Sequence, residues 1–164
     1  MTSETLISNN RLDHRSKTVG KIIAISISKK KGIPKSNVDA ATLIKDFGLE
    51  GDAHGGKWHR QVSFLAFESI KKMRAAGLPK IRPGAFAENI TTEFIDIPNL
   101  KVGNRLQIGK ATQLEITQIG KECHTKCAIY YKVGDCVMPS DGVFAKVINS
   151  GKIFLDDDVQ IIET

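Results

Sequence analysis

Short runs of β-branched and apolar residues, broken at close intervals by turn-forming residues, constrain the fold of this chain more than any other feature. The densest spans Lys21 to Ser28, where Ile22, Ile23, Ala24, Ile25 and Ile27 follow almost without interruption, the pattern of a strand buried on both faces. Strand signals return at Gln61 to Phe67, Glu88 to Thr92, Arg105 to Ile108, Ala111 to Gln118, Val143 to Ile148, Lys152 to Leu155 and Val159 to Ile162. Val102-Gly-Asn104, Gly109-Lys110, Asn149-Ser-Gly151 and Asp156-Asp-Asp158 separate them at intervals typical of hairpins. One helix is spelled between Glu68 and Ala76, with Ile70, Met73 and Ala76 or Ala75 on a common face and Gly77 and Pro79 to stop it. Many short strands with few helices predict a mainly β fold, a closed or nearly closed antiparallel β-barrel with a few short peripheral helices, because closure removes exposed edges.

The size, 164 residues with 41% apolar and 26% charged, fits a single core. Residues 1–18 are polar and without periodicity, which predicts a flexible leader ahead of a barrel domain over 19–164. No apolar run approaches a membrane span, and the start lacks a basic-then-apolar signal pattern, so the expectation is a cytoplasmic protein with no membrane attachment. Three cysteines, an odd number, fit thiols in a reducing compartment better than a disulfide framework. A net charge of +6 favours anionic partners: nucleic acid, a phosphorylated metabolite or a phosphate-bearing cofactor. Part of the excess is Lys29, Lys30, Lys31 and Lys35 around Gly32 and Pro34, read as a solvated basic loop. Without the aromatic interleaving of a single-strand binder, nucleic acid is not the expected partner, although a non-catalytic basic module for nucleic acid or a protein remains the alternative.

Three segments carry chemistry. Phe47 to Arg60 packs four glycines with Asp52, His54, Lys57, His59 and Arg60; glycines let backbone N–H groups converge on an anion that the basic side chains match, while a locally bonded surface loop is the simpler alternative. Trp58 in this stretch reads as a core residue. Pro83 to Ile90 sets a turn before a strand, with Asn89 able to orient a polar ligand or to satisfy the turn itself. Cys123-His-Thr-Lys-Cys127, followed by Cys136, gathers three thiols and an imidazole, with Lys121 and Lys126 placed to favour a thiolate. Zinc ligation, a Cys123–Cys127 redox pair and inert buried thiols all stand as readings of that spacing, the last preferred for Cys136.

These motifs together resemble the MOSC domain, named for the carboxy-terminal part of molybdenum cofactor sulfurases. The markers are Gly48-Leu-Glu-Gly-Asp-Ala-His54, His59-Arg-Gln-Val62, Pro83-Gly-Ala-Phe-Ala-Glu-Asn89, Val102-Gly-Asn-Arg-Leu106, Thr117-Gln118 with Cys123, and Asp141-Gly-Val-Phe144, in order from Val19 to Ile162. The resemblance implies a barrel-like fold and a role for Cys123 as metal ligand or sulfur carrier toward molybdenum cofactor (molybdopterin). It implies that His54, His59, Arg60 and Asn89 hold the phosphate and pterin edges, with Gln61 turned into the barrel instead and His124 and Cys127 as helpers. The chain has no room for the PLP-dependent domain of the sulfurases, so sulfur would come from a donor protein in trans.

Overall fold

The computed structural model describes residues 19–121, 128–134 and 136–162. The expected leader, 1–18, lies outside them, as do Cys123, His124 and Cys127. Seven strands close a barrel: β1 (Val19–Ile27), β5 (Val62–Ala66), β6 (Ile90–Glu93), β7 (Arg105–Ile108), β8 (Thr112–Ile119), β9 (Val143–Asn149) and β11 (Asp158–Ile162). Their order is β11-β7-β8-β9-β5-β6-β1, and pairing of β1 with β11 completes the ring. The three-residue β2 (Ser36–Val38) extends the sheet beside the end of β1. The expected barrel is present. All its pairs are antiparallel except β5 with β6, which run parallel because the connection 67–89 crosses over and carries helix α1 (Phe67–Ala75). Shorter helices, α2 (Ala128–Val133) and α3 (Met138–Asp141), follow β8. Among the described residues no helix is long and apolar enough to cross a membrane.

The Ile-rich run of β1 is not buried uniformly. Val19 and Lys21 are exposed while Gly20 and Ile22 are buried, and a bulge between Ile22 and Ala24 resets the alternation so that Ala24, Ile25 and Ser26 are all covered. This lets one strand pair in turn with β11, β6 and β2. The Gly109-Lys110 turn makes the expected β7–β8 hairpin. Asn149-Ser-Gly151 does not make a hairpin: it hands the chain from β9 to a second sheet of β10 (Gly151–Phe154), β3 (Ala40–Ile44) and β4 (Gly48–Leu49). Asp156-Asp-Asp158 returns it from β10 to β11, with Asp157 Oδ2 accepting from Phe154 N at 2.9 Å.

Two apolar clusters result. One fills the barrel with residues such as Ile22, Phe64, Ile90, Leu114 and Val147. The other lies outside the wall, where Leu65, Ile70, Met73, Phe86, Met138 and Phe144 pack α1 and α3 against β5 and β9. The period-two alternation explains the split: Val62 and Phe64 point inward, so Ser63 and Leu65 point outward. A cleft opens at the edge of this outer cluster.

Candidate functional site

The cleft has a volume of about 250 Å³, and its outer-cluster wall is Phe86, Met138 and Phe144 beside Ser63 and Asn89. Lys31, His54, Trp58, Arg60 and Lys121 also line it. Three separated loops therefore meet on the outer face of the barrel: the basic loop after β1, the glycine-rich loop before β5, and the Pro83–Asn89 turn.

Behind the lining is a buried polar chain. Lys35 and Asp52 have fully covered side chains, and Lys35 Nζ donates to Asp52 Oδ1 at 2.7 Å. The same ammonium donates to His54 Nδ1 at 2.8 Å. Asp52 also accepts from Ser28 N at 3.0 Å and from His54 N at 3.2 Å, so one carboxylate ties the basic loop to the glycine-rich loop. Burial alone would raise the Asp52 carboxyl, but the hydrogen bonds from Lys35 and Ser28 and the charge of Lys35 together hold it below its ordinary value. His54 is pushed down from 6.5 to about 4, chiefly by burial and then by the Lys35 ammonium, with Lys121 and Lys31 adding to the effect and Asp52 opposing it. The cleft thus carries a neutral imidazole at physiological pH. Lys35 is not part of a solvated loop, because Asp52 and His54 recruit its ammonium into the interior.

Trp58 is half-buried and lines the cleft rather than the core. Its Nε1 donates to His54 O at 2.7 Å, and the Arg60 guanidinium and Lys31 ammonium lie 4.7 and 5.3 Å from ring centroids on it. Arg60 also lies 5.6 Å from the Phe144 ring. Held between two aromatic faces, its Nε is buried and has no hydrogen-bond partner among the described residues. A buried charged donor without an acceptor is costly, and an anion in the cleft would satisfy it.

Asn89 is fully buried and its amide is engaged in the fold. Oδ1 accepts from Ser63 N and Ser63 Oγ at 3.0 and 3.1 Å, and Nδ2 donates to Ser26 O at 3.1 Å. It braces the cleft wall. His59 is exposed and stands apart from the cleft lining, with Nε2 donating to Gln118 Oε1 at 2.8 Å while Gln118 Nε2 donates to Gly120 O at 2.9 Å. The Thr117 hydroxyl donates to His59 O. The Thr117-Gln118 marker therefore fastens the glycine-rich loop to the end of β8, directly ahead of the cysteine segment. Gln61 is buried, its Oε1 accepting from Val147 N at 2.9 Å, a bond between β9 and the residue that leads into β5.

An apolar lobe of about 290 Å³ adjoins the cleft, lined by Ile33, Pro34, Ile129 and Cys136, and sharing Phe86, Ala87, Lys121 and Met138 with it. Among the described residues no cluster of His, Cys, Asp or Glu is arranged to hold a metal ion. The model of the MOSC domain matches residues 50–160, more than half of the sequence and most of the cleft. The chain belongs to the MOSC domain family. Solved structures similar to this one include the YuaD protein from Bacillus subtilis, at 16% identity and a TM-score of 0.76 over 89% of this chain and 97% of that one. YiiM from Geobacillus stearothermophilus follows at 17% identity and 0.65, over 88% of this chain and 75% of that one. YiiM from Escherichia coli is 19% identical with a TM-score of 0.60, over 90% of this chain and 70% of that one. At these identities the shared property is the fold. No curated protein sequence matches the chain.

Lys35, Lys31 and Trp58 complete a site of which sequence patterns single out His54, Arg60 and Asn89, with Lys121 assigned to the thiol instead. The glycine-rich segment marked Asp52 as a neighbour, but nothing in four clustered lysines distinguishes the one that turns inward.

Proposed function

We propose that this MOSC protein binds molybdenum cofactor, or a related metal–sulfur species, in the cationic cleft, with Cys123 as the thiolate that ligates the metal or carries sulfur. The observation that supports this is the buried Arg60 Nε, which has no hydrogen-bond partner among the described residues and shares the cleft lining with Lys31, Lys121 and neutral His54. That donor set suits a phosphate, which accepts charge-assisted hydrogen bonds from several directions. When bound, such a cofactor would supply a metal centre for sulfur transfer, cofactor delivery or reduction of a substrate. Arg60 and His54 would hold its phosphate, Asn89 would brace the wall through Ser63, and His59 would steady the approach to Cys123 through Gln118. His124 and Cys127 would assist the thiolate, and a sulfur donor protein would act in trans. The setting is a cytoplasmic one, without a membrane partner.

The alternative, a non-catalytic basic module for nucleic acid or a protein partner, relies on the lysine loop. Lys35 is buried against Asp52 and Lys31 lies over Trp58, which leaves less free charge for it. Salt-dependent DNA or RNA binding lost on neutralising Lys29, Lys30 and Lys31 would favour this reading.

Anaerobic isolation followed by elemental analysis and intact mass spectrometry tests the proposal. Wild type is expected to bind reduced molybdopterin or to accept persulfide sulfur, and Cys123→Ala to lose both molybdenum and the sulfur adduct. Equal cofactor binding by the two proteins, with neither accepting sulfur, would refute it.

A further inference from the structure

The strongest unused arrangement is the buried chain that ends on His54. Lys35 Nζ can only donate, and its neighbour at 2.8 Å is His54 Nδ1, which must therefore present its lone pair. Asp52 Oδ2 lies 3.8 Å from the same nitrogen, too far to claim a proton from it. Asp52 Oδ1 also holds the ammonium at 2.7 Å, and the Lys35 and Asp52 side chains are both fully covered, so water does not compete for that contact. With Nδ1 occupied, a neutral ring carries its proton on Nε2, and that nitrogen has no protein partner among the described residues. Among the described residues, the charges that act on the ring are those of Lys35, Asp52, Lys121 and Lys31. Three of these four are cations, which oppose a second proton on the ring.

We infer that Lys35 is a positioning residue: anchored on Asp52, it fixes His54 as the Nε2–H tautomer and makes His54 an obligate hydrogen-bond donor toward the cleft. Two consequences follow. His54 is neither a general base nor a metal ligand in the resting protein, because one nitrogen lone pair is engaged by Lys35 and the other nitrogen bears hydrogen. The ligand atom opposite it is an acceptor, such as a phosphate, oxo, sulfido or carboxylate atom. The tautomer is a property of the free protein, and only the identity of that acceptor rests on the cofactor reading.

The test is long-range proton–nitrogen NMR on the full chain carrying labelled histidine, from about pH 5.5 to about pH 8.5, a range that brackets ordinary histidine titration. His54 is expected to remain the Nε2–H tautomer throughout. In Lys35→Met it is expected to become a mixture of tautomers that protonates as the pH falls. A Nδ1–H tautomer in wild type, or an imidazolium forming near pH 6.5, would overturn the inference, and this spectrum decides even if Lys35→Met does not fold. The double variant Lys35→Met with Asp52→Asn removes the unpaired carboxylate and should show the same released ring. Added sulfate should shift the His54 Nε2 signal. An unshifted signal with the tautomer intact would support the role of Lys35 while counting against an anion at this point of the cleft.

Discussion

Lowering the pH should destabilise this protein through His54 in particular, and the structure sets the size of the effect. The folded protein holds the His54 proton affinity at about 4, against 6.5 ordinarily. The group is therefore depressed on folding. Above about pH 6.5 both states are neutral there and stability is fully present. As the pH falls below that value the unfolded chain takes up a proton that the folded protein refuses, and stability is lost until the folded group protonates near pH 4. Each unit of difference is worth about 1.4 kcal/mol, so the loss between neutrality and pH 4 is about 3 kcal/mol. The side chain is 21% exposed, covered enough for that figure to apply without a large solvent discount. Against a total stability of roughly 5–15 kcal/mol this is a substantial share.

The assay is urea unfolding at a series of pH values for wild type and His54→Gln. Carboxylates titrate in both proteins, so subtracting one profile from the other isolates His54. The variant is expected to start less stable at neutral pH, because Lys35 loses the imidazole Nδ1 and keeps only Asp52 of its two acceptors, and then to fall less steeply on acidification. The difference should narrow by about 3 kcal/mol on the way to pH 4, with the urea slope unchanged. Parallel profiles would show that the folded protein protonates His54 as readily as the unfolded chain does, and the buried Lys35–His54 contact would then be wrong.

Other positions test other parts of the site. Asp52→Ala leaves the Lys35 ammonium buried without its counter-charge, and urea unfolding should register a loss of about 3–5 kcal/mol. Arg60→Met removes the charged donor but keeps the packing between Trp58 and Phe144; calorimetric titration with phosphate should show affinity reduced roughly ten- to a hundredfold, matching a charge-assisted hydrogen bond of about 1.5–3 kcal/mol. Glu88 is raised by burial despite accepting from the amide of Phe86 and the hydroxyl of Thr91. A raised carboxyl stabilises the fold at low pH and loses that contribution as pH climbs above 4.5 toward the folded value. Glu88→Gln should therefore show a flatter stability profile over that rise, measured by the same unfolding series.

The barrel was legible because its strands are built from local signals: β-branched runs, period-two alternation and turns such as Gly109-Lys110 that close a hairpin between sequence neighbours. β2, β3 and β4 were not, since Ser36–Val38 and Gly48–Leu49 are too short to carry a pattern and β3 is held by β10 from the other end of the chain. The parallel β5–β6 pair was also beyond reach, because strand direction depends on where the connection crosses rather than on either strand's composition. In the site, glycine and histidine density located the loop around His54, but burial of Lys35 depends on two partners distant in sequence. Asn89 shows the converse limit: its position was legible, whereas its bonds to Ser63 and Ser26 emerge only when β1, β5 and β6 meet.

The same reasoning joins two motifs that the sequence presents as separate. Gly84 has a φ of 94°, and a Cβ there would lie 2.6 Å from Lys35 O. The close approach exists because Lys35 N donates to Gly84 O at 2.9 Å, while Arg82 Nη1 donates to Lys35 O at 3.0 Å and Asn37 Nδ2 to Pro83 O at 3.0 Å. The Pro83–Asn89 turn is thus the clasp that seats the Lys35 backbone, and the side chain of Lys35 reaches Asp52 and His54 from that seat. Gly84→Ala would meet both the left-handed backbone and the Lys35 carbonyl, a backbone atom that cannot swing aside, at a cost of at least about 1 kcal/mol. Its more telling effect should be at a distance: displacement of Lys35 loosens His54, so the His54 tautomer signal should change in a protein whose glycine-rich loop is untouched. If Gly84→Ala lowers stability and leaves that signal intact, the turn supports the fold without governing the site.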